Sequence, residues 1–507
     1  MDNALNLIYF FTTQEEIMKK LLSVILAFLF VASSAISCSQ SENETETQPE
    51  NVLENNETDN VTETEDIGPD LPEKSYNGED FTFFVRSENY MPQWYAIDID
   101  TDGSDGTPIN DAVYYRNLQI ENKYDVVINQ YYSDSPQDEF TKLSNAGETQ
   151  FDALVLSVER DLQGLLRNSL LQNAAELPYI DYGDEWWDNS SIESMKLGNA
   201  AYVLESDLTI VDKYATAGIL FNKNMIENYQ LDNLYDLVRD GKWTFDSMLE
   251  MSEKVAGDTN GDGVMGSEDT VAQIGEQMNV YLFMAGFGLN TAVVRDETIE
   301  MQVGDERYIN LLVPVVEYMM NKNISYTDGL VDLGTSDSWE AEYHPLFVDD
   351  RALFYPTEMN RFTLLREFDV DFGVVPFPKS DETQNRYYSP VDTAAASGIA
   401  VPKTQNDLEM TGIILDALSY ESMKQLQPAF YEVNLTKKEV RDEDSVEMLE
   451  MMFANRTIDI GIVYDFGGVG NMLRRLVRKS NTDVVSAFAE IKEMCNTDIE
   501  ELLTSIK

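Results

Sequence analysis

Phe151 to Ser157, FDALVLS, reads as a strand that is apolar throughout, as a strand covered on both faces of a sheet would be. Working outward from it, a helix is expected over Gln137 to Asn145, and before that a strand over Asp125 to Gln130 (DVVINQ). Pro108 to Tyr124 carries apolar residues at helical spacing, and Phe81 to Arg86 (FTFFVR) reads as the first strand of the folded part, which opens at Tyr76. Strands alternating with helices predict an α/β fold built on a mostly parallel sheet with helices on both faces. In such sheets ligands sit at the carboxyl ends of the strands, which places Ser157 and Glu159 as candidates just past the third strand.

The chain before Tyr76 has a different character. Met18 to Cys38, MKKLLSVILAFLFVASSAISC, sets two lysines before an apolar run and ends in small residues and a cysteine. That is the order of a secretory signal, and the apolar run falls short of the ~20 residues of a spanning helix. Ala35-Ile36-Ser37-Cys38 resembles a bacterial lipobox, departing from it at Ala35, where Leu is commoner; Cys38 is then the expected lipidation site and first mature residue. Met1 to Ile17 suits no signal, so Met18 reads as the true start. Residues 39 to 75 carry twelve acids against the single base Lys74, a composition expected to stay solvated as an acidic, disordered tether. As flexible coil such a tether spans on the order of 35 Å.

Composition excludes whole classes of function. Lys plus Arg is 35 and Asp plus Glu is 92, a formal charge of −57, so the surface repels nucleic acid and anionic lipid. With 43% hydrophobic residues the chain has material for sizeable cores. Of the two cysteines, Cys38 goes to lipid and Cys495 lies on a helical pattern, where it reads as a small buried apolar residue rather than half of a disulfide. The single histidine, His344, rules out histidine-based triads and multi-histidine zinc sites. A pair of carboxylates of the glycosidase kind stays open as a minor alternative, since spacing in sequence says nothing of separation in space. The expectation is a binding protein, not an enzyme.

Four further segments carry a resemblance: GTPINDAVYYRNLQIENKY (Gly106 to Tyr124), ILFNKNMIENYQLDNLYDLVRDGKWTFDSMLEM (Ile219 to Met251), RALFYPTEMNRFTLLR (Arg351 to Arg366) and DFGVVPFPKSDETQNRYYSPVDTAAASGIAVPK (Asp371 to Lys403). In this order they resemble extracellular solute-binding proteins of carbohydrate-type ABC importers, above all the large lipoprotein members of Gram-positive anaerobes. The resemblance implies a two-lobed periplasmic-binding-protein-like fold of type II, each lobe a mostly parallel sheet flanked by helices, with solute held between the lobes. It also implies ABC permease subunits as partners, a membrane contact through the lipid anchor, and an address on the outer face of the cell membrane.

The lobes are expected as residues 76 to 210 with 367 to 400 returning to the first, and 211 to 366 with 401 to 507 forming the second. Tyr202 to Leu208, Ala217 to Phe221, Ala352 to Pro356, Asp371 to Pro376, Gly398 to Pro402 and Asp459 to Tyr464 read as strands. Helices over Asp407 to Leu418, Glu443 to Phe453 and Asp483 to Leu503 are assigned to the second lobe. Gly241-Lys242-Trp243-Thr244 ends one helix with glycine and caps the next with threonine, which makes Trp243 a packing residue under a helix start.

Sugars present apolar ring faces beside hydroxyls, so their sites pair aromatic rings with carboxylates and amides. Candidates near strand ends are Trp94, Glu159, Asp207, Tyr214, Tyr355, Glu358, Tyr388 and Asp392. Trp186 and Trp187 read equally as a stacking wall or a core plug, and Asp465-Phe466-Gly467-Gly468 as a loop at the cleft edge or a plain glycine turn. The expected ligand is a mono- or oligosaccharide, with a peptide or other polar solute as the alternative. Separately, Asp258 to Asp269 fits a calcium loop: Asp258, Asn260 and Asp262 at positions 1, 3 and 5, Gly263 at the turn, the Val264 carbonyl at 7, and Asp269, shorter than the usual Glu, at 12. A structural Ca2+ is expected there and no catalytic cofactor.

Overall fold

The computed structural model describes residues 68–148, 150–266, 268–295, 298–327, 345–365, 368–435 and 443–506. The signal segment, Cys38, most of the tether and His344 lie outside these residues. In chain order the strands are β1 (Glu79–Arg86), β2 (Val126–Ser133), β3 (Ala153–Ser157), β4 (Ala217–Asn222), β5 (Val271–Gly275), β6 (Ala292–Arg295), β7 (Thr298–Met301), β8 (Ser325–Thr327), β9 (Ala352–Glu358), β10 (Phe372–Val375), β11 (Ser389–Pro390), β12 (Ser397–Ala400) and β13 (Arg456–Thr457). A four-stranded sheet in the order β12-β3-β1-β2 founds the first lobe, and a five-stranded sheet in the order β10-β4-β9-β5-β8 founds the second. Three strands of the first sheet run parallel and the returning β12 is antiparallel to β3. In the second sheet β4 alone opposes its neighbours. The fold is two-lobed α/β of type II.

Local sequence explains the opening units. The helix Pro108–Tyr124 starts on proline, whose missing N–H is no loss at a first turn, and stops at Asp125 in the left-handed region at φ 51°. Along β1, Phe81, Phe83 and Val85 face one core and Phe84 the other, where it meets Phe140 and Phe151 edge-on at 5.4 and 5.0 Å. In the second lobe Asn222 caps the helix Lys223–Asn228, and Thr244 with Ser247 forms a reciprocal cap on Phe245–Val255. Trp243 is fully buried beneath that cap, its indole N–H donating to the Pro376 carbonyl at 2.9 Å, as its place before a helix start implied.

Several expectations need correction. β10 pairs with β4 in the second sheet, so the chain rejoins the first sheet at Ser397, not at 367. A short apolar run does not say which sheet it will join; Gly373 fits between Phe221 and Tyr235, where a Cβ would come within 2.1 Å of the Tyr235 hydroxyl. The helix Leu408–Lys424 belongs to the first lobe, not the second. It is buried all round from Met410 to Ser422, packs its apolar side chains into the core over β1 and β2, and accepts a hydrogen bond at Ser422 from Arg116. Asp459 to Tyr464 is not a strand: Asp459 accepts from the Gly461 N–H at 2.9 Å and caps the helix Ile460–Val463. Tyr202 to Leu208 makes only isolated bridges, Leu204 to Ile399 and Ser206 to Trp187.

The tether also ends sooner than expected. Residues 68 to 75 are laid along the first lobe, where Leu71 packs on its core and Lys74 pairs with Glu409 at 2.8 Å. Two prolines stiffen this stretch and one leucine gives it an apolar foothold, signals that the surrounding acidity obscured.

Trp243 ties the second sheet to the helix that follows it. Trp243→Ala is expected to lower the unfolding free energy by about 3–5 kcal/mol, read as a fall in the urea midpoint with an unchanged slope.

Candidate functional site

At the carboxyl end of β3 the chain turns sharply. The Ser157 hydroxyl accepts from the Arg160 N–H at 3.1 Å and donates to the Ala394 carbonyl at 2.9 Å, which binds the turn to the segment entering β12. Glu159 follows, its N–H bonded to the Thr393 carbonyl and its carboxylate accepting from the Thr393 hydroxyl at 2.8 Å. Next to Thr393, Asp392 donates its N–H to the Ala215 carbonyl at 2.9 Å and accepts from the Ala394 N–H at 3.0 Å. Two crossings therefore meet at one carboxylate.

The electrostatics bring a wider group to this point. Burial, followed by the Glu358 and Glu159 carboxylates, pushes Asp392 up to about 8. Burial also raises Glu159, against the Thr393 hydrogen bond and the Arg474 charge, which oppose it. Glu358, at the end of β9, accepts from Thr357 at 3.3 Å. Tyr355 on the same strand is buried, its phenol raised well above the ordinary range by burial and influenced by Arg361, Glu276 and Glu358. Tyr281, from the helix Asn279–Gly286, feels Asp392, Glu159, Arg474 and Glu276 together. Across the group, the Arg361 guanidinium on the second lobe donates to the Gln93 side-chain oxygen on the first at 2.6 Å.

Of the sequence candidates, Glu159, Tyr355, Glu358 and Asp392 thus gather in one interlobe group, whereas Trp94, next in sequence to Gln93, is half-buried against the larger hydrophobic core. Tyr214 turns away: its hydroxyl accepts from Asn434 at 2.9 Å and its ring meets Phe430 at 5.0 Å. Asp207 pairs instead with Lys213 at 3.2 Å, near Arg456. Tyr388 lies against Gly288 under the Arg386 guanidinium, 4.6 Å from its centroid. Trp186 and Trp187 are a core plug, each indole N–H donating to Asp416 at 2.8 Å. Asp465 has φ 44° and Gly467 and Gly468 are also left-handed, so that stretch is a tight helical turn whose glycine fits against Cys495. Gln93, Glu276, Tyr281, Arg361 and Arg474 were missed. Glu276, directly after the end of β5, and Arg361, shortly after the end of β9, carried a positional signal that would have found them.

The Asp258 to Asp269 loop has the turns its spacing implies: Gly263 is left-handed at φ 81°, and Asp258 accepts from the N–H groups of Gly261 and Gly263 at 2.6 and 2.8 Å. Asp269 accepts from Thr259 at 2.9 Å and Gly266 at 2.7 Å. The carboxylates serve the loop's own backbone, and among the described residues no three acid, histidine or cysteine side chains converge as a metal site requires.

No family model and no curated protein matches this chain. Solved structures do. A cyclo/maltodextrin-binding protein complexed with maltotetraose has TM-score 0.56 at 11% identity, over 83% of this chain and 98% of that one. A sugar transporter of Rhizobium etli in an open conformation has TM-score 0.55 at 14% identity, over 82% and 99%. An ABC substrate-binding protein of Listeria monocytogenes in complex with cycloalternan has TM-score 0.52 at 12% identity, over 83% and 99%. At such identities the likeness is one of fold: this chain has the two-lobed architecture of sugar-binding ABC solute-binding proteins, along nearly the full length of each.

Proposed function

We propose that this protein is a lipid-anchored extracellular receptor that captures a carbohydrate between its lobes and delivers it to an ABC permease. The observation that carries the reading is the interlobe group itself. Carboxyl and phenol groups from both lobes, with arginines among them, gather at strand ends in a fold shared with sugar-binding neighbours. Ligand that touches both lobes stabilises the closed arrangement, and the Arg361 to Gln93 bond is one contact made only when the lobes are near. The role is binding without chemical conversion, with the ATPase on another chain.

A thermal-shift screen of the Ser39-to-Lys507 protein against mono- and oligosaccharides and against peptides tests the ligand class. Saccharide-specific stabilisation is expected, lost in Asp392→Ala and reduced in Tyr355→Phe; stabilisation by peptides alone overturns it. Asp392 also sets a pH dependence. Its folded value lies above the unfolded one, so its contribution to stability is full at acid pH and is lost as pH rises through about 8. In Asp392→Asn the decline in melting temperature between acid and alkaline pH is expected to flatten.

The anchor has its own test: Cys38→Ala should release the protein into the medium with saccharide binding intact, and a variant still retained on the membrane refutes lipidation. The calcium proposal rests on the 258–269 spacing and the turn at Gly263. Chelation is expected to lower the melting temperature and added Ca2+ to restore it, whereas identical curves rule the ion out.

A further inference from the structure

Strand pairing at the crossings fixes how two acids of the interlobe group stand to one another. Ala217 on β4 is opposite Glu358 on β9, and Thr216 bridges Val391, so Ala215 is opposite Asp392 and accepts its N–H at 2.9 Å. Side chains alternate along a strand and match across a pair, which puts Asp392, Ala215, Ala217 and Glu358 on one face. The acids are two strand spacings apart across the ladder and two residues apart along it, roughly 12 Å between Cα atoms. The reach of both side chains leaves space for one small group between the carboxyls, and the ladder positions between them carry only methyl groups.

Each acid has one oxygen engaged. Asp392 accepts from the Ala394 N–H at 3.0 Å, and Glu358 from the Thr357 hydroxyl at 3.3 Å. The second oxygen of each makes no hydrogen bond or ion pair among the described residues, although Asp392 is only 9% exposed and Glu358 5%. Neither of these oxygens is sealed in the interior, so both open onto accessible space. The Tyr281 phenol, 7% exposed, also makes no hydrogen bond among the described residues. Its helix packs on β11, the strand running into Asp392, and after burial Asp392 and then Glu159 bear most on the phenol. Cations are present but answer neither acid directly. Arg160 is exposed, Arg361 is engaged with Gln93, and Arg474 makes no ion pair among the described residues.

A neutral ring hydroxyl donates to one free oxygen and leaves the two carboxyls facing each other. An anionic substituent is repelled by both. An ammonium group brings three donors and a positive charge, so it bonds both oxygens and removes their repulsion. The net charge of −57 also draws cations towards the protein. We propose that the saccharide is an amino sugar whose ammonium group bridges the free oxygens of Asp392 and Glu358, with the Tyr281 phenol bonding a neighbouring ring hydroxyl. This rests on the receptor reading above and names the substituent that the cleft selects. The proton that burial holds on Asp392 passes to solvent as the ammonium arrives.

The test is calorimetric titration of the full-length protein with glucosamine and its trimer, beside their N-acetyl forms, glucose and maltotriose. The aminated sugars are expected to bind about tenfold or more tighter than their neutral counterparts, the margin that charge-assisted bonds supply. Added NaCl should narrow that margin by weakening the aminated sugars alone. Glu358→Gln and Asp392→Asn each remove one charge and should bring the ratio of affinities close to one, whereas Tyr281→Phe should weaken aminated and neutral sugars together. An unchanged melting curve of each apo variant checks its fold, and the salt dependence of the unsubstituted protein decides if both charge variants melt early. Equal affinity for aminated and neutral sugars, a margin indifferent to salt, or one that survives both substitutions overturns the proposal and leaves the receptor reading standing. Binding of no saccharide at all overturns both.

Discussion

Arg456 stands where the crossings of the chain meet, and its guanidinium answers Asp188, Asp212 and Glu205 at once. Two of these acids are fully buried at the side chain, and an isolated carboxylate taken out of water costs several kcal/mol. Even beside the guanidinium, burial pushes Glu205 up to about 8. β13 places the arginine by pairing with β11, the strand that leads towards Asp392. Around this node lie the other fixtures of the hinge: the bridges Thr216 to Val391 and Leu204 to Ile399, and Asp98 accepting from the Ile210 N–H at 2.8 Å. The charge that orders these segments is thus gathered at the crossings, on Arg456 and the three acids around it.

What could be read from sequence was what is decided locally. Pro108, Asn222 and Thr244 mark helix starts by groups that act within one turn, and β3 follows from an apolar run buried at every residue. Partnership between distant segments was not legible. Nothing in FGVV distinguishes an edge strand beside β4 from one beside β3, and the helix Leu408–Lys424, with apolar and polar residues on every side, names no lobe. The site shows the same division. Glu159 and Asp392 could be found because they stand next to strand ends, whereas Tyr281 sits on a helix buried all round and reads as core until the fold sets it near Asp392. Trp186 and Trp187 read equally as a stacking wall or a core plug, and the fold decides for the plug by giving both indoles one buried acid as acceptor.

That acid illustrates how a chain of charge −57 builds interiors. Asp416 is raised to about 6 chiefly by burial, with the two indole hydrogen bonds opposing the rise. Asp459 is raised to about 6 in the same way, against donors from Thr291, Gly461 and Ala292. Neutral N–H and O–H groups, rather than counter-ions, receive much of the buried acidity. Lysine and arginine are scarce, and of those buried among the described residues Arg86, Lys213, Arg361 and Arg456 stand where lobes or crossings join, whereas Arg116 and Lys379 bond within a lobe.

The docking of residues 68 to 75 along the first lobe has a mechanical meaning. Leu71 on the core of that lobe and Lys74 on Glu409 of the helix Leu408–Lys424 hold residues 68 to 75, so any displacement of one lobe against the other carries this segment with the first.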